Sequence, residues 1–524
     1  MSPAAVGRQG LVAAFAAALI AGSSVRATRS REPHTGLSAA ATPATAAAVR
    51  WKVTAQRISP AARDTTPVAI TGVTVIDVAR GRRVPGQTVV IRGTRVAGVG
   101  TRVTVPRGAR LVDGRGKFLI PGLWDMHVHV LMAGPRLSLL PLYVANGVTR
   151  VRDMGGTIPL DEQRAVRRAL EAGERVGPVV AAAPGPILTA PGGPRDRLTG
   201  GMRLGPTLNV SVATAADARR VVDSLHAAGA DFIKLTFPPR EAYMAAVDQA
   251  HARRIPLVGH VPASVTPREA VDAGQRSIEH MGRLPAFCGD SAVAALRAVQ
   301  AADTVTQQTI RRLLGGCVAP DDSGAASLGA AAARRGTWVD PTLVQLRFHH
   351  AVLGDTAHVA DALRHTPGWL RQYWTEDPFV LGTTPLSARA ALLAWPGRLA
   401  FVGALHRAGV QLLAGTDSPS YPFSSPGFSL HDELALLVAA GLSPLEALRA
   451  ATLNPARFLN ATDSLGSVAP GKLADLVLLD ADPLADIRNT TTIRAVMLNG
   501  RYLDRAALDD LLAHPERAVG TRSP

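Results

Sequence analysis

The run Phe118-Leu-Ile-Pro-Gly-Leu-Trp-Asp-Met-His-Val-His-Val130 decides how this chain is read. Side chains alternate faces along a β-strand, so His127 and His129, two positions apart, point the same way. Two imidazoles side by side at a strand end can hold one divalent metal ion. Pro121-Gly122 interrupts the preceding segment, so the His-bearing strand starts afresh after it. A bare His-x-His pair is weak evidence, and its meaning depends on what the rest of the chain places beside it.

Upstream, 68–76, 88–92 and 95–99 are short strand-like runs separated by Gly- and Pro-containing turns, a small β module ending near Lys117. Downstream, strand-like runs at 119–130, 149–154, 178–183, 232–237, 257–261, 277–281, 338–344 and 411–416 alternate with helical stretches such as 161–172, 215–228, 240–253, 266–273 and 398–408. Eight βα units over roughly 340 residues predict an α/β fold of (β/α)8 TIM-like barrel type. An open doubly wound sheet is the alternative, but the sequence has no glycine-rich dinucleotide loop. Strand-like character returns at 466–480 and 493–500, and is expected to complete the early β module as a small β-sandwich domain built from both chain ends. The predicted organisation is a signal peptide over 1–27, a flexible linker over 28–66, sandwich segments over 67–118 and 466–505, the barrel over 119–465 and a tail over 506–524.

Composition narrows the function. The chain has 524 residues, 47% hydrophobic and only 4% aromatic, and a mean hydropathy of +0.13, which describes a globular protein with a large core. The net charge is +16, but nearly all of it is Arg; the lysines are Lys52, Lys117, Lys234 and Lys472. The arginines are scattered among Asp and Glu and lack interleaved aromatics, which argues against nucleic-acid binding. Arg8, the apolar run 11–20 and the small-x-small site Val25-Arg-Ala27 have the order of a secretory signal peptide. That predicts export to the periplasm or beyond, with no stable membrane span once the signal is removed. In that setting Cys288 and Cys317 are free to pair or to stay reduced. A homo-oligomer is compatible with the sequence.

In a barrel the C-terminal ends of the strands converge on one mouth. Read in order, the candidate strands bring His127 and His129, then Lys234, His260, His280 and Asp417. Separately, each histidine has a bland reading as a hydrogen-bonded core residue, and Asp417 could cap the next helix. Lys234 inside an apolar strand is harder to explain, because a buried ammonium is costly unless paired or modified. A carbamate on its nitrogen would turn the cation into a carboxylate able to bridge two metal ions about 3.5–4 Å apart.

With Pro121–His129, Val148–Asp153, Phe232–Lys234, Ile278–His280, Gly415–Asp417, Asn454–Ala456 and Gly471–Val477 in place, the chain resembles the amidohydrolase superfamily over roughly residues 67–505. Within it the similarity is to the imidazolonepropionase-related and Xaa-Pro dipeptidase-like branch. The resemblance implies a metal-dependent hydrolase acting on an amide bond of a small molecule, such as a dipeptide or N-acyl amino acid. It implies two divalent ions, Zn2+ by default: His127, His129 and Asp417 on one, His260 and His280 on the other, and carboxylated Lys234 with a hydroxide between them. Asp417 would then be the catalytic base. Two rivals remain: a mononuclear deaminase or cyclic-amide hydrolase on the same barrel, and a non-catalytic exported binding protein.

The sequence departs from the branch at Pro194, where relatives often have His, and at His260-Val-Pro262, where many have His-Ala-His. Both departures put dipeptide specificity in question. Tyr143 and Arg152 are candidates for a substrate carboxylate, and His431 for the pocket wall. The long segment 284–336, together with 347–374, is a candidate lid.

Overall fold

The computed structural model describes residues 66–519 apart from 192–208, 281–322 and gaps of one to three residues. The proposed signal peptide and nearly all of the linker, Pro194, Cys288 and Cys317, and most of the segment 284–336 lie outside the described residues.

Two sets of strands organise the chain. The first is a mixed eight-stranded sheet drawn from both ends of the sequence. It takes β1 (Val68–Asp77), β2 (Arg82–Arg92), β3 (Arg95–Gly100), β4 (Arg110–Asp113) and β5 (Phe118–Pro121) from the N-terminal side. The C-terminal side supplies β15 (Leu476–Leu479), β16 (Ile493–Leu498) and β17 (Arg501–Asp504). The register of β1 shifts between Ile70 and Val75, so its first half pairs with β4 and its second half with β5. Gly72, at φ +71°, sits in that shift, where a Cβ would meet Arg115 Cγ at 2.8 Å. The sheet then curls back: β3 meets the run into β15 through an antiparallel bridge between Arg95 and Leu473. Its inward side chains, among them Ile70, Val89, Val96, Leu476 and Met497, form one apolar core.

The second set is parallel. β6 (Leu123–Val128), β7 (Val148–Asp153) and β8 (Val179–Ala182) form three adjacent strands. A six-stranded sheet follows in the order β10 (Asn209–Ser211), β9 (Ile187–Thr189), β11 (Ile233–Leu235), β12 (Leu257–Gly259), β13 (Ser277–Glu279), β14 (Trp338–Asp340). Single contacts join the two groups at both sides. Asp231 N, just before β11, donates to Ala183 O, just after β8, at 3.2 Å. On the other side, 412–418 carries parallel bridges from Leu412 to Val339 of β14 and from Ser418 to Val128 of β6. The expected strand at 411–416 is thus held by bridges rather than by a continuous ladder. The short pair β9–β10 was not foreseen; it falls in a Pro- and Gly-rich stretch that reads as loop.

The expected run 119–130 divides at Gly122. β5 belongs to the curled sheet, and β6 opens the parallel set. Gly122 N donates to Asp475 O at 2.7 Å, and a Cβ at Gly122 would meet Thr149 Oγ1 at 2.2 Å. The junction between the two sheets therefore needs a residue without a side chain.

Helices cover the parallel strands, and their starts are written in the sequence. Thr214 with Asp217, and Thr266 with Glu269, form capping boxes at the starts of Ala215–Ala227 and Pro267–Ala273. The apolar core runs from β6 and β7 through helices Pro385–Arg407 and Phe428–Ala439. Among the described residues no helix is long and apolar enough to cross a membrane.

Candidate metal centre

β6 is buried along its whole length, and the chain leaves it with His127 and His129 inside the protein at 0% and 3% exposure. Their Nδ1 atoms face the scaffold. His127 Nδ1 lies 3.0 Å from Glu279 Oε2, and His129 Nδ1 lies 2.6 Å from the Gly155 carbonyl. Their Nε2 atoms turn to Asp417, at 3.6 Å and 3.0 Å from Oδ1 respectively. The ligand atoms of His127, His129 and Asp417 lie within 4.8 Å of one another.

Backbone bonds hold Asp417 there. Its N–H and that of Thr416 both donate to His127 O, at 2.7 and 3.2 Å. The buried Asp125 carboxylate accepts from Thr416 N at 3.1 Å and from Thr416 Oγ1 at 2.6 Å. Asp417 itself adopts φ +60°, His280 φ +63° and Thr342 φ +47°. This left-handed region is costly for residues with a side chain, and strain of this kind collects at functional sites. Here it turns three polar side chains toward one space.

The other predicted residues gather around the same point. The His280 ring centroid is 4.4 Å from that of His127 and 4.6 Å from that of His260, and His280 Nε2 lies 3.8 Å from Asp417 Oδ2. His260 meets Phe237 edge-on at 4.8 Å. Lys234, in the middle of β11, is fully buried and acts electrostatically on both His127 and Asp417. Burial, reinforced by the Lys234 ammonium and by His280, holds the His127 imidazole well below its usual range, so it is neutral. Burial pushes the Asp417 carboxyl up, but His280, His129 and Lys234 outweigh it and hold Asp417 at about 2. A neutral imidazole and an ionised carboxylate are the forms in which these groups ligate metal.

The residues fit a divalent ion. Among the described residues His127 Nε2 is buried without a hydrogen-bond partner, while its other nitrogen is fixed by Glu279. Nitrogen and carboxylate donors of this kind suit Zn, Mn, Co or Fe.

The three proposed substrate contacts lie elsewhere. Arg152 is fully buried; it donates to Met126 O at 2.5 Å, Ser277 Oγ at 3.1 Å, Glu279 Oε2 at 2.8 Å and Asp340 Oδ2 at 3.4 Å. Tyr143 is fully buried, with its hydroxyl 3.3 Å from Ser418 O and 3.2 Å from Ser418 Oγ. His431 is 3% exposed and sits between Thr490 Oγ1 at 2.9 Å and Asn146 O at 3.1 Å. These are framework contacts, each saturated from within the protein. The described part of the lid candidate is packed too. Phe348, Leu370 and Trp374 cluster with Leu139, Leu142 and Phe423, and Trp374 Nε1 donates to Pro419 O at 3.3 Å, just beyond Asp417.

Sequence reasoning missed Glu279, Asp340, Thr342 and Gln345. Thr342 Oγ1 lies 2.7 Å from His280 Nδ1, and Gln345 Nε2 donates to Asp417 Oδ2 at 3.0 Å. Glu279 and Asp340 offered a signal: an acid closing a short apolar strand, one residue before His280 in the first case. Thr342 and Gln345 offered none, because a turn after β14 delivers them.

Comparisons with known proteins agree with this architecture. The amidohydrolase family pattern matches residues 118–503. An imidazolonepropionase from Ralstonia nicotianae is 29% identical over 431 residues, 76% of this chain and 87% of that protein. Other curated relatives align over short stretches: 51% identity over 53 residues, 8% of its length, with adenine deaminase 2 of Jannaschia sp., and 42% over 122 residues, 28% of its length, with dihydroorotase of Anaeromyxobacter sp.. Among solved structures, bottromycin amidohydrolase superposes with a TM-score of 0.64 at 25% identity, covering 87% of this chain and 92% of its own. A putative prolidase from Bifidobacterium longum gives 0.59 at 24% identity, covering 86% and 99%, and shares the fold. With the family pattern matching residues 118–503, most of the sequence, the chain belongs to the amidohydrolase family.

Proposed function

We propose that the protein is a metal-dependent hydrolase that cleaves an amide C–N bond in a small molecule, on a (β/α)8 barrel closed by the single contacts at 183–231 and 412–418. The observation that carries this reading is the convergence of His127 Nε2, His129 Nε2 and the Asp417 carboxylate on one point, with His260, His280 and Lys234 around it. His127, His129 and Asp417 would hold one divalent ion and His260 with His280 a second; Lys234, as a carbamate, would serve both. When bound, such ions lower the pKa of water and polarise the scissile carbonyl.

The chain's own residues do the rest. Asp417, held by Gln345 Nε2, would accept the proton of the attacking water and pass it to the leaving amine. Thr342 orients His280 through its Nδ1. The strained backbone at Asp417 and His280 keeps both aimed at the reacting group. The substrates we propose are dipeptides and N-acyl amino acids, met outside the cytoplasm if residues 1–27 act as a signal.

The tightness of the His127–His129–Asp417 group, which His260 and His280 do not join, favours a second reading with one ion, as in a mononuclear deaminase or cyclic-amide hydrolase. Counting zinc per chain by plasma emission after reconstitution and dialysis separates the readings: about two supports the carbamate, and about one the rival. A panel of dipeptides, N-acyl amino acids, lactams and aminopurines assayed with the loaded protein tests the activity. No turnover across that panel would sink the reading as an enzyme.

A further inference from the structure

The geometry points to Glu279 as a positioning residue for His127, with Arg152 and Ser277 holding Glu279 in place. This inference rests on the metal-site reading and adds a part that it does not contain.

Glu279 closes β13 and is 2% exposed, with its carboxylate fully buried. Its Oε2 accepts from His127 Nδ1 at 3.0 Å and from Arg152 Nη2 at 2.8 Å. Its Oε1 accepts from the Ser277 hydroxyl, and Ser277 Oγ in turn accepts from Arg152 Nη1 at 3.1 Å. Arg152 is itself pinned by Met126 O on the neighbouring strand and by the Phe458 ring 5.2 Å from its guanidinium carbon. The carboxylate therefore has one orientation, and in it the proton of His127 must sit on Nδ1. That leaves the Nε2 lone pair facing Asp417.

The paired histidine is served differently. His129 Nδ1 faces a neutral acceptor, the Gly155 carbonyl, at 2.6 Å. A carboxylate behind an imidazole makes it a stronger electron donor than a carbonyl does, and such partners set metal affinity. The two histidines of one strand are thus unequal ligands, with His127 the stronger.

Glu279, Asp340 and His127 also place ligand atoms within 4.8 Å of one another, the pattern of a second metal site. Arg152 Nη2 already lies 2.8 Å from Glu279 and 3.4 Å from Asp340. The guanidinium supplies the positive charge, so this group is a support and not a second centre.

The test is Glu279→Gln, with histidine-selective 15N labelling and a metal competition titration. The carboxylate-bound Nδ1–H proton of His127 should move upfield while that of His129 stays in place, and zinc affinity should fall about 10- to 100-fold. An unmoved His127 resonance overturns the assignment even if affinity falls, because the loss would then come from general loosening. Unchanged affinity in a metal-binding protein overturns it too. If the wild-type chain binds no zinc, the hydrolase reading fails, and the His127 resonance still decides the role of Glu279. Should Glu279→Gln not fold, Ser277→Ala removes one support of the same carboxylate and should shift the same resonance by less.

Discussion

His127 stands between two clusters made of the same donor types. On its Nε2 side are His129 and Asp417; on its Nδ1 side are Glu279 and Asp340. The first keeps some access, with Asp417 and His280 side chains each 11% exposed, and it is held by strained backbone. The second is wholly buried, sits on regular strands and has a guanidinium at its centre. Imidazole and carboxylate donors thus make a site in one place, with two histidines and one acid, and a support in the other, with one histidine and two acids. The difference lies in where the cation sits: Arg152 Nη2 stands between both acids of the second cluster, 2.8 Å from Glu279 and 3.4 Å from Asp340, while Lys234 acts on the first through its charge. Burying a charge is tolerable only when it is paired, and in the second cluster Arg152 meets that condition by direct contact.

The sharpest way to separate the two is to remove one charge on each side. Asp417→Asn should lower kcat by about 10²- to 10⁴-fold, the usual worth of a positioned acid–base group, with the fold intact by circular dichroism. Full turnover in that variant would remove Asp417 from the proton transfer. Arg152→Met should instead act on stability. It leaves Glu279 and Asp340 as buried acids without a cation, and denaturant unfolding should show a loss of about 3–5 kcal/mol. If added zinc restores the stability of Arg152→Met, the vacated support has become a metal site, and the guanidinium was the whole of the difference.

Legibility followed the same division. Residues that chemistry places on strand ends, His127, His129, Lys234, His260, His280 and Asp417, could be named because period-two alternation and strand order put them together without knowing any angle. The curled sheet was legible as a return of strand-like character near 476 and 493, but its connectivity was not, since the register shift in β1 that splits it between β4 and β5 leaves no mark in composition. Arg152 shows why a site is harder to read than a strand. Sequence gives its position near the end of β7, yet which way a strand residue points depends on a one-residue register, and here it points to Glu279. Tyr143 and His431 likewise meet Ser418 and Thr490, whose approach is tertiary. Gln345 reaches Asp417 only through the left-handed turn at Thr342, which no propensity foretells.

The wall between the clusters can be tested directly. A Cβ at Gly415 would meet Asp340 Oδ2 at 2.5 Å and Oδ1 at 2.6 Å on one side, and His127 Cβ at 2.6 Å on the other. His127 and Asp340 are both fully buried, and Asp340 Oδ2 lies 3.4 Å from Arg152 Nη2, so neither side chain has free space to withdraw into. Gly415→Ala should therefore cost about 1–3 kcal/mol, the usual price of overpacking, and lower zinc affinity with it by displacing His127. A variant as stable as wild type by thermal unfolding would mean that the two clusters have slack between them.

The smallest effect concerns how the accessible cluster is supported from below. Glu433 is fully buried, and its Oε2 accepts from Val344 N at 2.7 Å, inside the turn that carries Thr342 and Gln345. Burial pushes its carboxyl up to about 8, against backbone hydrogen bonds that lower it, with Asp125 and Asp432 adding to the rise. The folded protein therefore binds a proton here that the unfolded chain, at its ordinary glutamate value of 4.5, has already lost. Stability contributed by Glu433 must fall as pH rises from that value to about 8, by at most about 1.4 kcal/mol per pH unit. Glu433→Gln keeps the acceptor for Val344 and has no proton to lose. Its advantage over wild type in urea unfolding should thus be small at pH 5 and grow steadily toward pH 8. Parallel stability curves for the two proteins across that range would show that Glu433 is already ionised in the fold, and that the turn over Asp417 rests on a charge rather than on a neutral acid.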